Sequence, residues 1–125
     1  MTMNTYELKR ALRDFRRVKI YNKYLYPGKS PILISDACRF LLENCDSSFL
    51  FDLILKSQEL KILRDVPFKI FRLEQLRKDM SWILTCSFDC EKKPIIVKSI
   101  PFSKFPLPEI TIWVIQNVAL LPKER

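Results

Sequence analysis

Apolar residues recur at helical spacing in the first half of this chain and closer to alternation in the second. Wound at 100° per residue, Leu8, Ala11, Leu12, Phe15 and Val18 fall within an arc of about 120°, one apolar helix face. Asn4 stands three residues before Glu7, the spacing of a capping box, and marks the helix start. Residues 21–31 break this period as an aromatic connector, with a turn signal at Pro27-Gly28 and Ser30 before another proline. Ser35 is placed to cap a second helix running through Asp36, Ala37, Phe40 and Leu41 to about Cys45. Asp46-Ser47-Ser48 interrupts it, and Phe49, Leu50, Leu53, Ile54 and Leu55 carry a third helix to about Gln58. The broad apolar stripes of these two helices mark them as core helices.

After Pro67 the period shortens. Phe68, Ile70 and Leu73, with Lys69 and Arg72 interleaved, predict a strand. Residues 82–88 predict a second strand and residues 95–100 a third, separated by the polar residues 89–93. Residues 110–121 are apolar and β-branched, with Gln116-Asn117 as a turn or bulge in the middle. The expected fold class is α+β, with N-terminal helices followed by an antiparallel β-meander of about four strands. At 125 residues the chain makes one domain, 1–125. Its parts are a basic, tyrosine-rich helix and connector (1–30), core helices (31–60) and an antiparallel sheet (67–125).

Charge changes the picture at one end. Residues 1–30 hold eight basic groups against Glu7 and Asp14, a surplus of six out of the whole chain's +8. All four tyrosines, Tyr6, Tyr21, Tyr24 and Tyr26, lie there too. Lys9, Arg10, Arg13, Arg16 and Arg17 occupy an arc separate from the apolar face, so the first helix carries a core side and a cationic side. With Lys19, Tyr21, Lys23, Tyr24 and Lys29 they form the candidate binding surface: cations for phosphate oxygens and tyrosines to stack on unpaired bases. About five phosphate contacts make binding fall with roughly the fourth to fifth power of salt concentration. The bland reading of the same stripe is a solvated helix exterior.

Two absences exclude function classes. The chain has no histidine, the commonest general base and zinc ligand. Its one glycine, Gly28, rules out the glycine-rich loops that cradle phosphates and dinucleotides. No catalytic residues are assigned and no enzyme is expected; a carboxylate-based enzyme is the least favoured reading. Four cysteines invite a zinc site, but Cys38 and Cys45 are seven apart, and a helix holds them about 10 Å from each other. They read as buried thiols, with no metal and no cofactor expected. Phe40, Phe49, Phe51, Phe68, Phe71, Trp82, Phe88 and Trp113 read as core. Pro101, Pro106 and Pro108 keep this segment out of regular structure; it reads as a rigid connector with Phe105 and Leu107 turned inward, with an exposed recognition loop as the alternative. No apolar run approaches a membrane span and residues 1–10 lack a secretory pattern, so a cytoplasmic location without membrane partners is expected.

The run Ile34-Ser35-Asp36-Ala37-Cys38-Arg39-Phe40-Leu41-Leu42-Glu43, then Phe49-Leu50-Phe51-Asp52-Leu53-Ile54, resembles a family of small bacterial proteins. Phe105-Pro106-Leu107-Pro108-Glu109-Ile110 and Leu120-Leu121-Pro122-Lys123-Glu124 extend the resemblance. That family is a domain of unknown function found in bacterial genomes, plasmids and phage. Its similar members tend to carry glycine and aromatic residues between the two helices, where this chain has Asp46-Ser47-Ser48, and a histidine in the connector, which is missing here. The resemblance implies a fold and carries over no site residues.

The leading expectation is a small non-enzymatic binding module whose basic N-terminal helix engages nucleic acid or a nucleoprotein complex. The alternative is an antagonist or adaptor encoded by a mobile element, such as an anti-CRISPR, docking on a host protein complex. Both would use the same cationic surface.

Overall fold

The computed structural model describes residues 4–13, 22–24, 32–45, 47–57, 66–76, 81–88, 94, 96–101 and 105–124. Among these described residues three helices, α1 (Thr5–Leu12), α2 (Asp36–Asn44) and α3 (Ser48–Ser57), accompany seven strands. In chain order these are β1 (Asn22–Tyr24), β2 (Ile32–Ile34), β3 (Phe68–Gln75), β4 (Trp82–Ser87), β5 (Ile96–Ile100), β6 (Glu109–Ile115) and β7 (Val118–Leu120). A 3₁₀ turn, Pro122–Glu124, follows the last strand.

The fold is α+β, as the change of period implied. The strands form one mixed sheet in the order β1-β2-β7-β6-β3-β4-β5. Every neighbouring pair is antiparallel except β2 and β7. The meander expected from the sequence is β3-β4-β5; β6 then returns to the far side of β3 instead of extending that run. Residues 110–121 divide into β6 and β7 around Gln116-Asn117, with Ile115 opposite Val118. Gln116 takes a positive φ of 56° there.

Two short strands exceed the expected four-strand sheet. Residues 22–24, read as connector, form β1 at one sheet edge, antiparallel to β2. A three-residue strand is too short to carry an alternation pattern, so only its pairing reveals it. β2 joins the sheet through Leu33 N donating to Asn117 O at 2.8 Å and Ser35 N donating to Ala119 O at 2.9 Å.

Pleating divides the sheet into two faces. Phe71 lies opposite Cys86 and Ile112, and Leu73 opposite Leu84 and Ile110. All six are buried. They pack in one cluster with Leu8 and Leu12 of α1, Ala37, Cys38 and Leu41 of α2, and Leu50, Phe51, Ile54 and Leu55 of α3. Lys69 also falls on this core face, two residues before Phe71, and is only 3% exposed. The other face carries Ile70, Arg72, Thr85, Thr111 and Trp113 at intermediate or greater exposure. Among the described residues no helix is long and apolar enough to cross a membrane.

The helix ends are built as their sequences dictate. Asn4 Oδ1 accepts from Glu7 N at 2.8 Å while Asn4 Nδ2 donates to Glu7 Oε1 at 2.6 Å. Ser35 Oγ accepts from Cys38 N at 3.2 Å, capping α2. Between α2 and α3, Ser47 Oγ donates to the Leu41 carbonyl at 2.7 Å, and Leu50 N donates to the Ser47 carbonyl at 3.0 Å.

Candidate nucleic-acid interface

The short helix α1 divides its side chains cleanly. Leu8 is fully buried and Leu12 nearly so, whereas Lys9, Arg10 and Arg13 are exposed. Arg13 sits four residues from Lys9 and three from Arg10, so the three cations are neighbours on one helix surface. Lys9 and Arg10 also lie in the last turn, where the helix dipole favours positive charge. The one acid of this stretch, Glu7, is held by the Asn4 cap.

Two features anchor α1. Its leucines enter the core, and Thr5 Oγ1 donates to the Pro106 carbonyl. Pro106 lies between Phe105 and Leu107, both buried, and the Phe105 ring meets Trp82 edge-on at 6.2 Å. The proline segment is therefore the inward-turned connector the sequence implied, and it fixes the start of the cationic helix.

Of the remaining candidate residues, Lys23 and Tyr24 belong to β1, opposite Leu33 and Ile32, and not to an irregular connector. The connector reading is corrected at these two positions. Arg16, Arg17, Lys19, Tyr21 and Lys29 lie outside the described residues. The structure thus brings Lys9, Arg10 and Arg13 together, and puts Lys23 and Tyr24 on an edge strand.

A second surface was not legible in the sequence. Phe68 and Trp113, expected in the core, are half-buried on the sheet face opposite the helices, with rings edge-to-face at 5.2 Å. They line a groove of about 570 Å³ together with Ile70, Thr85, Ser87 and Phe88. Arg72 stands in this groove, but its guanidinium donates to Glu109 at 2.7 Å and lies 3.7 Å from Glu74. The hydrogen bond to Glu109 pushes its pKa further up, as does the charge of Glu74. With two carboxylates around one guanidinium, the described lining of this groove carries no surplus positive charge for a phosphate. Arg72, Thr85 and Thr111 stand opposite one another on this face, a register that only the strand pairing reveals.

Cys38, Cys45 and Cys86 are buried thiols. Burial pushes the Cys38 thiol up to about 12, and that of Cys86 up to about 11 against the opposing pull of Lys69. Cys90 lies outside the described residues. Among the described residues no group of three potential ligands is placed to hold a metal ion.

A family model matches residues 6–125, nearly the whole chain. The chain belongs to DUF6876, a family of unknown function. No curated protein and no solved structure matches it. Membership therefore agrees with the resemblance carried by residues 34–43 and 120–124, and the family assigns no activity to any side chain.

Proposed function

We propose that this chain is a small non-enzymatic binding module that engages nucleic acid, alone or in a nucleoprotein complex, through its cationic N-terminal segment. The observation that carries the reading is the division of α1, with Leu8 and Leu12 buried and Lys9, Arg10 and Arg13 exposed as neighbours. A helix anchored by its apolar side presents its cations on a fixed surface, which lowers the ordering cost of meeting phosphates. The surplus of six charges in residues 1–30 supplies the attraction, since the other 95 residues are close to neutral. Lys23 and Tyr24 of the edge strand β1, together with Tyr21, are the further residues we assign to phosphates and to stacking on unpaired bases.

The test is fluorescence anisotropy with single-stranded and duplex oligonucleotides across a salt series, for the native chain and for K9E/R10E/R13E. The expected result is weaker binding by the variant and a salt slope shallower by about two to three. Unchanged affinity and slope would remove α1 from the interface. A protein partner that survives nuclease treatment of a lysate, yet is lost with the variant, would assign the same surface to protein recognition.

A further inference from the structure

A second site lies on the sheet face away from the helices, in the groove lined by Phe68 and Trp113. Its volume of about 570 Å³ falls within the range of roughly 300–1,000 Å³ that small-molecule sites occupy. We propose that this groove binds a neutral disaccharide, one sugar ring lying against Trp113 and its hydroxyls bonded around Arg72. The site is separate from α1 and stands apart from the nucleic-acid reading.

Strand register lays the groove out in rows. Trp113 and Ser87 flank Ile70, and in the next row Thr111 and Thr85 flank Arg72. Beyond them Glu109 stands opposite Glu74. Phe68, Phe88 and Pro94 complete the apolar lining. The groove therefore passes from aromatic rings through hydroxyls to carboxylates.

Charge removes two ligand classes. Arg72 meets two carboxylates, so the described lining has no attraction for a phosphate or a carboxylate. An organic cation resting on the rings would meet Arg72 first, because the Arg72 row separates Trp113 from both acids. What fits is an uncharged ligand.

Hydrogen bonding and the rings narrow the class further. The Arg72 guanidinium donates to Glu109 at 2.7 Å and, half exposed, keeps N–H groups to spare. Thr85 Oγ1 reaches the Arg72 carbonyl only at 3.5 Å. Among the described residues the hydroxyls of Thr111 and Ser87 have no hydrogen-bond partner. Such hydroxyls both donate and accept, and they suit a ligand whose own groups do both. Phe68 and Trp113 hold each other edge-to-face at 5.2 Å, so the indole is ordered before a ligand arrives. The negative face of an aromatic ring attracts weakly positive C–H groups. A pyranose offers both features, a C–H face for the indole and a rim of hydroxyls for the polar row.

The experiment is an NMR titration of the full chain with the uncharged sugars cellobiose, maltose and N,N′-diacetylchitobiose. AMP and benzyltrimethylammonium chloride serve as charged comparisons at constant ionic strength. At least one disaccharide is expected to shift the Trp113 indole N–H and the Thr85 and Thr111 methyl resonances saturably, with Kd on the order of 1 mM. The indole N–H of Trp82, which is buried, should stay unmoved. Thr111→Val, nearly isosteric, should weaken that sugar roughly threefold at an unchanged Tm. Trp113→Ala, read at the threonine methyls, should weaken it roughly tenfold. Absence of saturable shifts with every sugar would overturn the proposal, as would a Kd indifferent to both substitutions. So would tighter binding of AMP or the ammonium ion at Trp113. Shifts of the same resonances on simple dilution of the unliganded chain would give this face to a second copy instead.

Discussion

Ser35 Oγ donates to Glu124 Oε1 at 2.5 Å across 89 positions of sequence, joining the cap of α2 to the last described residue. The same carboxylate accepts from Leu121 N at 2.9 Å and, through Oε2, from Ala37 N at 3.3 Å. Ser35 is fully buried and Glu124 is 3% exposed. The carboxylate lies at the positive end of a helix, takes up amides of its first turn and its own 3₁₀ turn, and closes the C-terminus onto the core.

Removing that carboxylate leaves buried donors without their acceptor. Glu124→Ala is expected to destabilise the fold by about 2–3 kcal/mol, and Ser35→Ala by about 1 kcal/mol. In urea unfolding the double variant should lose less than the sum of the two singles, because the groups share one network. Strict additivity would show that the two residues act independently.

Gln116 holds a left-handed φ of 56° in the turn between β6 and β7. A side chain with a Cβ is strained there, whereas glycine is not. Gln116→Gly should raise stability by about 0.5–1 kcal/mol, visible as a higher Tm. The backbone bond from Gln116 N to the Pro67 carbonyl, at 2.6 Å, survives the change. A lower Tm would mean that the side chain contributes more than the strain costs.

Alkaline pH should separate the folded thiols from unfolded ones. Cys38 and Cys86 have folded pKa values raised to about 12 and about 11 from 9.0. Between 9.0 and those values the unfolded chain has lost protons that the folded chain keeps. Stability is thus fully present below about pH 9 and falls as pH rises through this window, by at most about 1.4 kcal/mol per pH unit per thiol. Urea midpoints should decline there, and Cys38→Ala should decline less steeply. At neutral pH, peptide-resolved iodoacetamide labelling should find both thiols slow in the native chain and fast in urea.

Lys69 predicts the opposite slope. Burial lowers its pKa below 10.5, with Cys86 pulling the other way. The unfolded chain binds the proton more tightly, so this lysine's contribution to stability improves as pH rises toward 10.5. Lys69→Met, of similar length and apolar, should stabilise the fold at neutral pH by about 1 kcal/mol. Its advantage over the native chain should narrow at alkaline pH. An advantage independent of pH would show that packing rather than charge is responsible.

The sequence by itself determined the elements whose physics is local. Asn4 and Ser35 carry cap chemistry within three residues, the apolar stripes of residues 36–57 repeat every three or four positions, and Gln116-Asn117 interrupts an apolar run. Each was readable because the responsible interaction spans a turn or less. It determined the cationic side of α1 for the same reason, since Lys9, Arg10 and Arg13 are separated from Leu8 and Leu12 by helical winding alone.

Tertiary structure decided what depends on partners distant in sequence. β1 and β2 are three residues each and exist through pairing, with β2 held by the parallel neighbour β7 more than eighty residues later. Which face of the sheet the helices cover placed Lys69 inside while leaving Phe68 and Trp113 half-buried on the other side, against the core reading of those aromatics. The closure of Glu124 on Ser35 and the groove along Phe68 and Trp113 arise the same way. Alternation fixes that neighbouring side chains face opposite ways, but only packing decides which way is in.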